Sequence, residues 1–315
     1  MNQIRSEHID DKRLRVCYGE QPLFEYTYRP ATKAIYCPRP FIHPLHTLAG
    51  DVVTNSRPTD HPWHNGISLT LTDVNGMNFW GGGTYRRAAA AYGEYDNMGR
   101  QDHIAWVADG PIEGGHAWVE SLKWIGPKGE HVFTEERTLS VRDVDAATGF
   151  WRLGWKSRLT NTAGEDLAIN SYCSGEGLEG SGYTGLFMRL SRGFTPVPAY
   201  IMDPDVKWDD CHDGTKDINA TDDLNGHAGN RVAFQGVFDT SLNGGLLLCE
   251  DVTSQPNYQH HWFYRPHMPC LAFSTAFHEP LKITIGAEQV FEHTISIAAG
   301  FWTRKQLANR WLGLG

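Results

Sequence analysis

No stretch of this sequence approaches the roughly eighteen consecutive apolar residues that a membrane-spanning helix needs, so no span is expected. Residues 1–8 lack the apolar core of a secretory signal, and a cytoplasmic location is the expectation that follows. Basic residues are in the minority: 28 Lys and Arg stand against 37 Asp and Glu, for a net charge of −9, and they form no cluster. Nucleic acids and anionic membrane surfaces are bound through clustered cations, so both are excluded as partners. The six cysteines are scattered without a CxxC pair, which excludes a zinc ribbon and suits reduced, mostly buried thiols. There is no GxSxG elbow for a serine nucleophile. There is also no phosphate loop or dinucleotide fingerprint, because Gly81, Gly82 and Gly83 lack the required spacing and a following helix, so no nucleotide cofactor is expected.

Helical periodicity is scarce too. One segment carries it, 303–313, where Thr303 and Gln306 have capping-box spacing, Leu307 and Trp311 share an edge and Gly313 can end the turn. This helix is expected to cover a sheet edge. A short helical turn is expected over 86–91.

Period-two alternation dominates instead. Phe24, Tyr26 and Tyr28 share a face, as do Trp151, Leu153 and Trp155. Phe133, Glu135, Arg137, Leu139 and Val141 share another, with two charges on it. Leu281, Ile283 and Ile285 alternate, with Phe291, His293, Ile295 and Ile297 on the face of an expected partner strand. Turn residues separate such runs at 18–20, 161–164, 242–245 and 285–287. With 315 residues, 40% hydrophobic and 21% charged, the chain reads as an all-β protein: one large antiparallel two-sheet β-sandwich domain over 1–315, of about twenty strands. The aspartate-rich segment 203–226 reads as a long polar loop. Its run from Asp209 to Gly214 faintly resembles a calcium loop but lacks the twelfth-position glutamate.

The densest chemistry is the run Asp60-His61-Pro62-Trp63-His64-Asn65-Gly66. Histidine titrates nearest neutral pH and is the commonest metal ligand. A tight turn at Pro62, which cannot sit in a central strand, would bring His61 and His64 to one side. His43 and His46, Arg57, Asn75, Trp80 and His103 surround the block in sequence. Elsewhere, Arg189 and Arg265 can hold a carboxylate or an oxyanion. Glu136, beside Arg137, and Glu176 read as ion-pair residues. His260 and His261 are adjacent on a strand and must point apart, so at most one joins a given site.

Three chemistries fit these residues. The first is acid–base catalysis on a sugar by His61, His64, His103 and Arg57, with His43, Trp63, Asn75, Trp80, Arg189 and Arg265 binding substrate and the Trp rings stacking on its apolar face. The second adds a divalent metal held by His61, His64 and His103, or by His43 in place of one. The third is a non-catalytic, aromatic-lined carbohydrate-binding module. A homo-oligomer is compatible with all three.

Much of the chain resembles the DUF6807 family, often labelled the PmoA family in bacterial genomes. The resemblance is carried by Arg39-Pro40-Phe41-Ile42-His43-Pro44, the DHPxH block at 60–64, Asp73-Val74-Asn75-Gly76, Phe79-Trp80-Gly81-Gly82 and 99–103. Later echoes are Glu136-Arg137-Thr138, Asn161-Thr162, Gly182-Tyr183-Thr184-Gly185-Leu186-Phe187-Met188-Arg189 and Trp262-Phe263-Tyr264-Arg265. The family commonly has histidine where Trp63 stands and arginine where Asn65 stands. The resemblance implies a β-sandwich similar to the galactose-mutarotase-like supersandwich of sugar epimerases, lyases and some hydrolases, and a place in carbohydrate metabolism, which is fold-level analogy. The label borrows from a membrane-bound methane monooxygenase subunit, whose chemistry this span-free chain is not expected to share.

Overall fold

The computed structural model describes residues 4–195, 199–201, 216–218, 224–255, 258–303, 306 and 309. Two large antiparallel sheets form a β-sandwich. The eight-stranded sheet runs Ile4–His8, Arg13–Tyr18, Gln21–Thr27, Phe41–Leu45, Ile67–Thr70, Gly185–Arg189, Cys270–Ser274, His261–Arg265. The nine-stranded sheet runs Lys216–Ile218, Ala199–Ile201, Arg231–Val237, Gly244–Asp251, Glu288–Ala299, Phe150–Asn161, His131–Asp145, Gly115–Ile125, Arg100–Ile112. Three short strands, Leu281–Ile283, Leu167–Asn170 and Asp73–Val74, make a third sheet, and Thr84–Arg86 pairs with Ala91–Gly93.

Alternation sorts the side chains as expected. Tyr26, Trp151, Leu153 and Trp155 are buried between the two large sheets, where apolar area removed from water supplies the main stabilising force. The central strands of the eight-stranded sheet are buried on both faces. Leu186, Met188, Leu271, Phe273, Trp262 and Tyr264 point into the sandwich. Their neighbours Phe187, Cys270, Ala272 and Phe263 join Trp80 and Phe277 in a second apolar layer on the opposite face. That layer is the floor on which the histidine block rests.

Some expectations are corrected. Leu281–Ile283 does not partner Glu288–Ala299; it pairs with Leu167–Asn170, and Ile285 is exposed in the turn between. A helix the sequence did not signal spans Tyr172–Glu176, capped by Ser171, and is too short to leave a period. The turn over 86–91 is a 3-10 helix at Arg87–Ala89. At the C-terminal end the capping box forms: Gln306 N–H donates to the Thr303 hydroxyl (3.2 Å), and Thr303 N–H to the Gln306 side chain (2.8 Å). Just before it, Trp302 packs against Phe150 on the outer face of the nine-stranded sheet. Leu307, Trp311 and Gly313 lie outside the described residues, as do 203–215, 219–223 and Cys211. The other five cysteines are free, four of them buried.

Candidate functional site

The block at 60–66 sits in a loop closed at its base by its own backbone. Arg57 N–H donates to the His64 carbonyl (2.7 Å), and Gly66 N–H to Asn55 (3.0 Å). The loop is tied to the strand Gly185–Arg189: Arg189 N–H donates to Gly66 O, and Asn55 N–H to Arg189 O, both at 2.8 Å. Buried Arg39 fixes it from beneath, donating to the Trp63 carbonyl (2.9 Å) and to Ser68 Oγ (3.1 Å). Gly66 must be glycine, because a Cβ there would lie 2.0 Å from Ile42 O. Gly82 lies flat against the Trp63 ring with φ +72°, and a Cβ would stand 2.6 Å from Trp63 Cε2. The Trp-Gly run after the block is therefore the seat of an indole.

The turn at Pro62 forms as expected. His64 N–H donates to His61 O (2.9 Å), and the two imidazoles stack with centroids 4.7 Å apart and planes 24° apart. Their surroundings differ. His61 is partly exposed, with Nδ1 3.0 Å from Asp60 Oδ2. With Nδ1–H donated to that carboxylate, Nε2 carries the lone pair, the arrangement that orients a general base. His64 is 3% exposed, against Phe187 at 4.7 Å and Trp80 at 5.8 Å. Burial holds its pKa well below the usual imidazole value, and His61, Arg189 and Arg39 add to that, so the ring stays neutral. Its Nδ1 is buried without a hydrogen-bond partner, as is the neighbouring Asn65 Oδ1.

Arg189 completes the group. It points to the same face as Phe187, two residues earlier on the strand. Its Nη1 donates to Met268 O (2.8 Å), Nη2 lies 3.8 Å from Asp60 Oδ2, and Nε is buried without a partner. Burial acts to raise the Asp60 pKa, but the hydrogen bond to His61 and the Arg189 charge outweigh it, and the carboxyl sits below its ordinary value. Trp63, Trp80 and Tyr183 supply flat apolar walls, with Trp80 and Tyr183 centroids 4.7 Å apart.

Asp60, Asn65 and Tyr183 were not singled out in sequence as site residues. Asp60 adjoins His61, and that adjacency was a usable signal for a carboxylate–imidazole pair. The remaining residues expected at the site lie elsewhere or play other parts. Arg57 acts on the block through its backbone, while its exposed guanidinium stacks 5.7 Å over Tyr36. His43 bonds Thr54 Oγ1 through Nδ1 (2.9 Å) beneath Gly66, and burial lowers its pKa to about 4. Asn75 is a turn residue at φ +50°, its amide spanning Asp166 O (3.0 Å) and Ala168 N (2.8 Å). The Asn-Gly pair signals this two-residue turn. Arg265 donates to Gly180 O (2.8 Å) and lies 4.7 Å over the Phe263 ring. Glu176 pairs with Arg86 and caps Arg87 N–H.

His103 is the clearest displacement. On the edge strand Arg100–Ile112 it turns inward, its Nδ1 2.6 Å from Glu120 Oε1, packed on Tyr28. It belongs to a polar network inside the sandwich. Glu120 accepts from Tyr26 (2.5 Å), Tyr26 accepts from Arg137 (2.9 Å), and Arg137 donates twice to Glu135, 2.8 Å each time. Arg137's partner is thus Glu135, two residues away on the same face, and Glu136 is exposed. His61, His64 and His103 do not converge, and among the described residues no group of three His, Cys, Asp or Glu side chains is placed to hold a metal ion.

Fold and site together define a two-sheet antiparallel β-sandwich with a histidine pair on the outer face of one sheet. A family model, "Family of unknown function (DUF6807)", matches residues 13–312, and the chain belongs to that family. No curated protein matches. Among solved structures the chain is similar to the GH36 α-galactosidase AgaB from Geobacillus stearothermophilus, at TM-score 0.43 and 6% identity, over 94% of this chain and 41% of that one. It is also similar to a putative kojibiose phosphorylase from human microbiome, at TM-score 0.33 and 6% identity, over 96% of this chain and 32% of that one. The chain thus spans less than half the length of either protein.

Proposed function

We propose that this protein is a carbohydrate-active enzyme of the lyase, hydrolase or epimerase type, working by histidine acid–base catalysis on a sugar, glycoside or keto-glycoside. The observation that carries the reading is the divergence of two stacked imidazoles. His61 is partly exposed and backed by the Asp60 carboxylate, whereas His64 is buried and kept neutral. Paired titratable groups whose environments pull their protonation apart are the usual basis for dividing acid and base roles. His61 Nε2 takes the proton. His64, neutral, is an uncharged hydrogen-bonding group beside it. The Arg189 guanidinium, with an unpartnered Nε–H, is suited to an oxyanion developing on the substrate. Trp63, partly exposed, offers the apolar face that a pyranose ring stacks on, with Trp80 buried behind the site.

No metal is needed for these steps, and His103 is committed to Glu120. The test is a screen of glycosides and their keto derivatives against the wild type and His61→Ala. Turnover of one class by the wild type, reduced at least 100-fold in the variant, is expected from the loss of a positioned general base. Equal turnover by both proteins would refute the assignment.

A further inference from the structure

A second polar centre lies between the sheets, away from the histidine pair. At the end of Gly244–Asp251, the Asp251 carboxylate lies 2.7 Å from His260 Nδ1 and 3.1 Å from His293 Nδ1, the latter off good hydrogen-bond geometry. It also accepts from Thr253 Oγ1 (2.6 Å) and Thr253 N–H (3.2 Å). Asp251 and His293 belong to the nine-stranded sheet and His260 precedes the edge strand of the other, so the group bridges the two layers. The carboxylate is saturated with donors. The far side of His260 is not: its Nε2 is buried without a partner on a side chain 2% exposed. A buried ring nitrogen left unpaired is costly, and a ligand that pairs it returns that cost.

His260 borders a cavity of about 640 Å³, lined also by Asn230, Asp251, Thr253, Tyr258 and Gln259. That volume is in the ordinary range for small-molecule sites. Gln259 is exposed, so the cavity opens to solvent there. The Tyr258 hydroxyl oxygen is buried, near Thr253 but without a hydrogen bond of good geometry. The lining therefore combines an imidazole, a phenol, a carboxylate, a hydroxyl and two amides, and the unpartnered His260 Nε2 and Tyr258 hydroxyl are buried atoms of it. It contains no Lys or Arg, and the nearby Arg231 is 2.7 Å from Glu250. An anion would find no cation here, and a cation would find a carboxylate already fully engaged.

We infer that this cavity is a binding site for a neutral hydroxyl-bearing molecule, a sugar or polyol, whose hydroxyl donates to His260 Nε2 and accepts from Tyr258. The site is separate from the His61 centre and stands without it. Its Asp–His pair fixes the imidazole tautomer from behind, as a carboxylate does for a ring nitrogen that must accept.

The test is titration of the His61→Ala/His64→Ala protein, followed through the His260 imidazole nitrogen resonances, so that binding at the outer-face site does not contribute. Probes are D-glucose and myo-inositol, with inorganic phosphate as the charged control. A saturable shift at His260 Nε2 with a neutral probe is expected. Affinity, read by calorimetry because His260→Asn has no imidazole resonance, should fall about tenfold in Tyr258→Phe and in His260→Asn, the loss of one hydrogen bond in each. Asn preserves a donor toward Asp251 while removing Nε2, and Tyr258→Phe removes a hydroxyl alone, so one folded variant suffices. No shift with either neutral probe, affinity unchanged in both variants, or a shift with phosphate in their place would overturn the inference.

Discussion

Arg137 is the most consequential single side chain in the sandwich, and Arg137→Met measures what it holds. The guanidinium is fully buried. It donates to Glu135 from Nε and Nη2 (2.8 Å each), to the Tyr26 hydroxyl (2.9 Å) and to Gln101 (3.1 Å), and it lies 4.7 Å over the Trp155 ring. Burial alone would make the guanidinium easier to deprotonate, but Glu135, Tyr26 and Glu120 push its pKa up instead. Methionine fills the volume and removes the charge. Glu135 then remains at zero exposure with Trp124 Nε1 (2.7 Å) and Ser157 (2.5 Å) as donors and no countercharge. Leaving one member of a buried pair uncompensated costs about 3–5 kcal/mol. At an unfolding entropy of about 2.1 cal/mol/K per residue, a chain of 315 residues would lose roughly 6 °C of Tm for a 4 kcal/mol loss. Urea denaturation of wild type, Arg137→Met, Glu135→Gln and the double variant gives the coupling, expected above about 1 kcal/mol. A loss below about 1 kcal/mol in Arg137→Met, or additive single variants, would refute the reasoning.

Gly82→Ala forces a Cβ to within 2.6 Å of the Trp63 ring at φ +72°; it should destabilise by about 1–3 kcal/mol and change Trp63 fluorescence, and a neutral Tm would show that the indole is not seated there. Burial lowers His43 to about 4, and burial with His278 beside it lowers His261 to about 4. Between the unfolded value near 6.5 and those folded values, the unfolded chain binds protons that the folded chain refuses, so stability falls as pH falls through that window. His43→Gln should flatten the stability–pH slope between pH 6.5 and 4, and an unchanged slope would contradict the assignment. Asp60→Asn removes the carboxylate behind His61 and should lower turnover while leaving the unfolding free energy within about 1 kcal/mol of wild type, since the side chain is 53% exposed; pH–rate profiles of the two proteins read the difference.

Alternation made the sandwich legible because a half-buried strand writes its two faces into the chain. It set Glu135 and Arg137 on one face, and it split His260 from His261. The turn chemistry at Pro62 likewise foretold the meeting of His61 and His64. What sequence spacing could not carry was registry between strands. His103 is close to the block along the chain, yet the pairing of Arg100–Ile112 with Gly115–Ile125, shifted by irregularities at Glu120 and Leu122, delivers it to Glu120. Asp251 and His293 come from two strands of one sheet and His260 from the segment entering a strand of the other, and no local pattern joins them. A turn role and a polar site role look alike in composition at Asn75, whose amide is engaged within its turn; the following glycine is the mark of the turn.

The central claim is that His61, with the neutral His64 imidazole beside it, moves a proton on a bound sugar. The His61→Ala/His64→Ala protein, assayed for kcat and by calorimetry for affinity on the same substrate, tests it most directly. Turnover lost by a factor of 100 or more, with affinity within about tenfold of wild type, is the predicted result. Wild-type turnover, or an unchanged kcat with affinity lost, would contradict it.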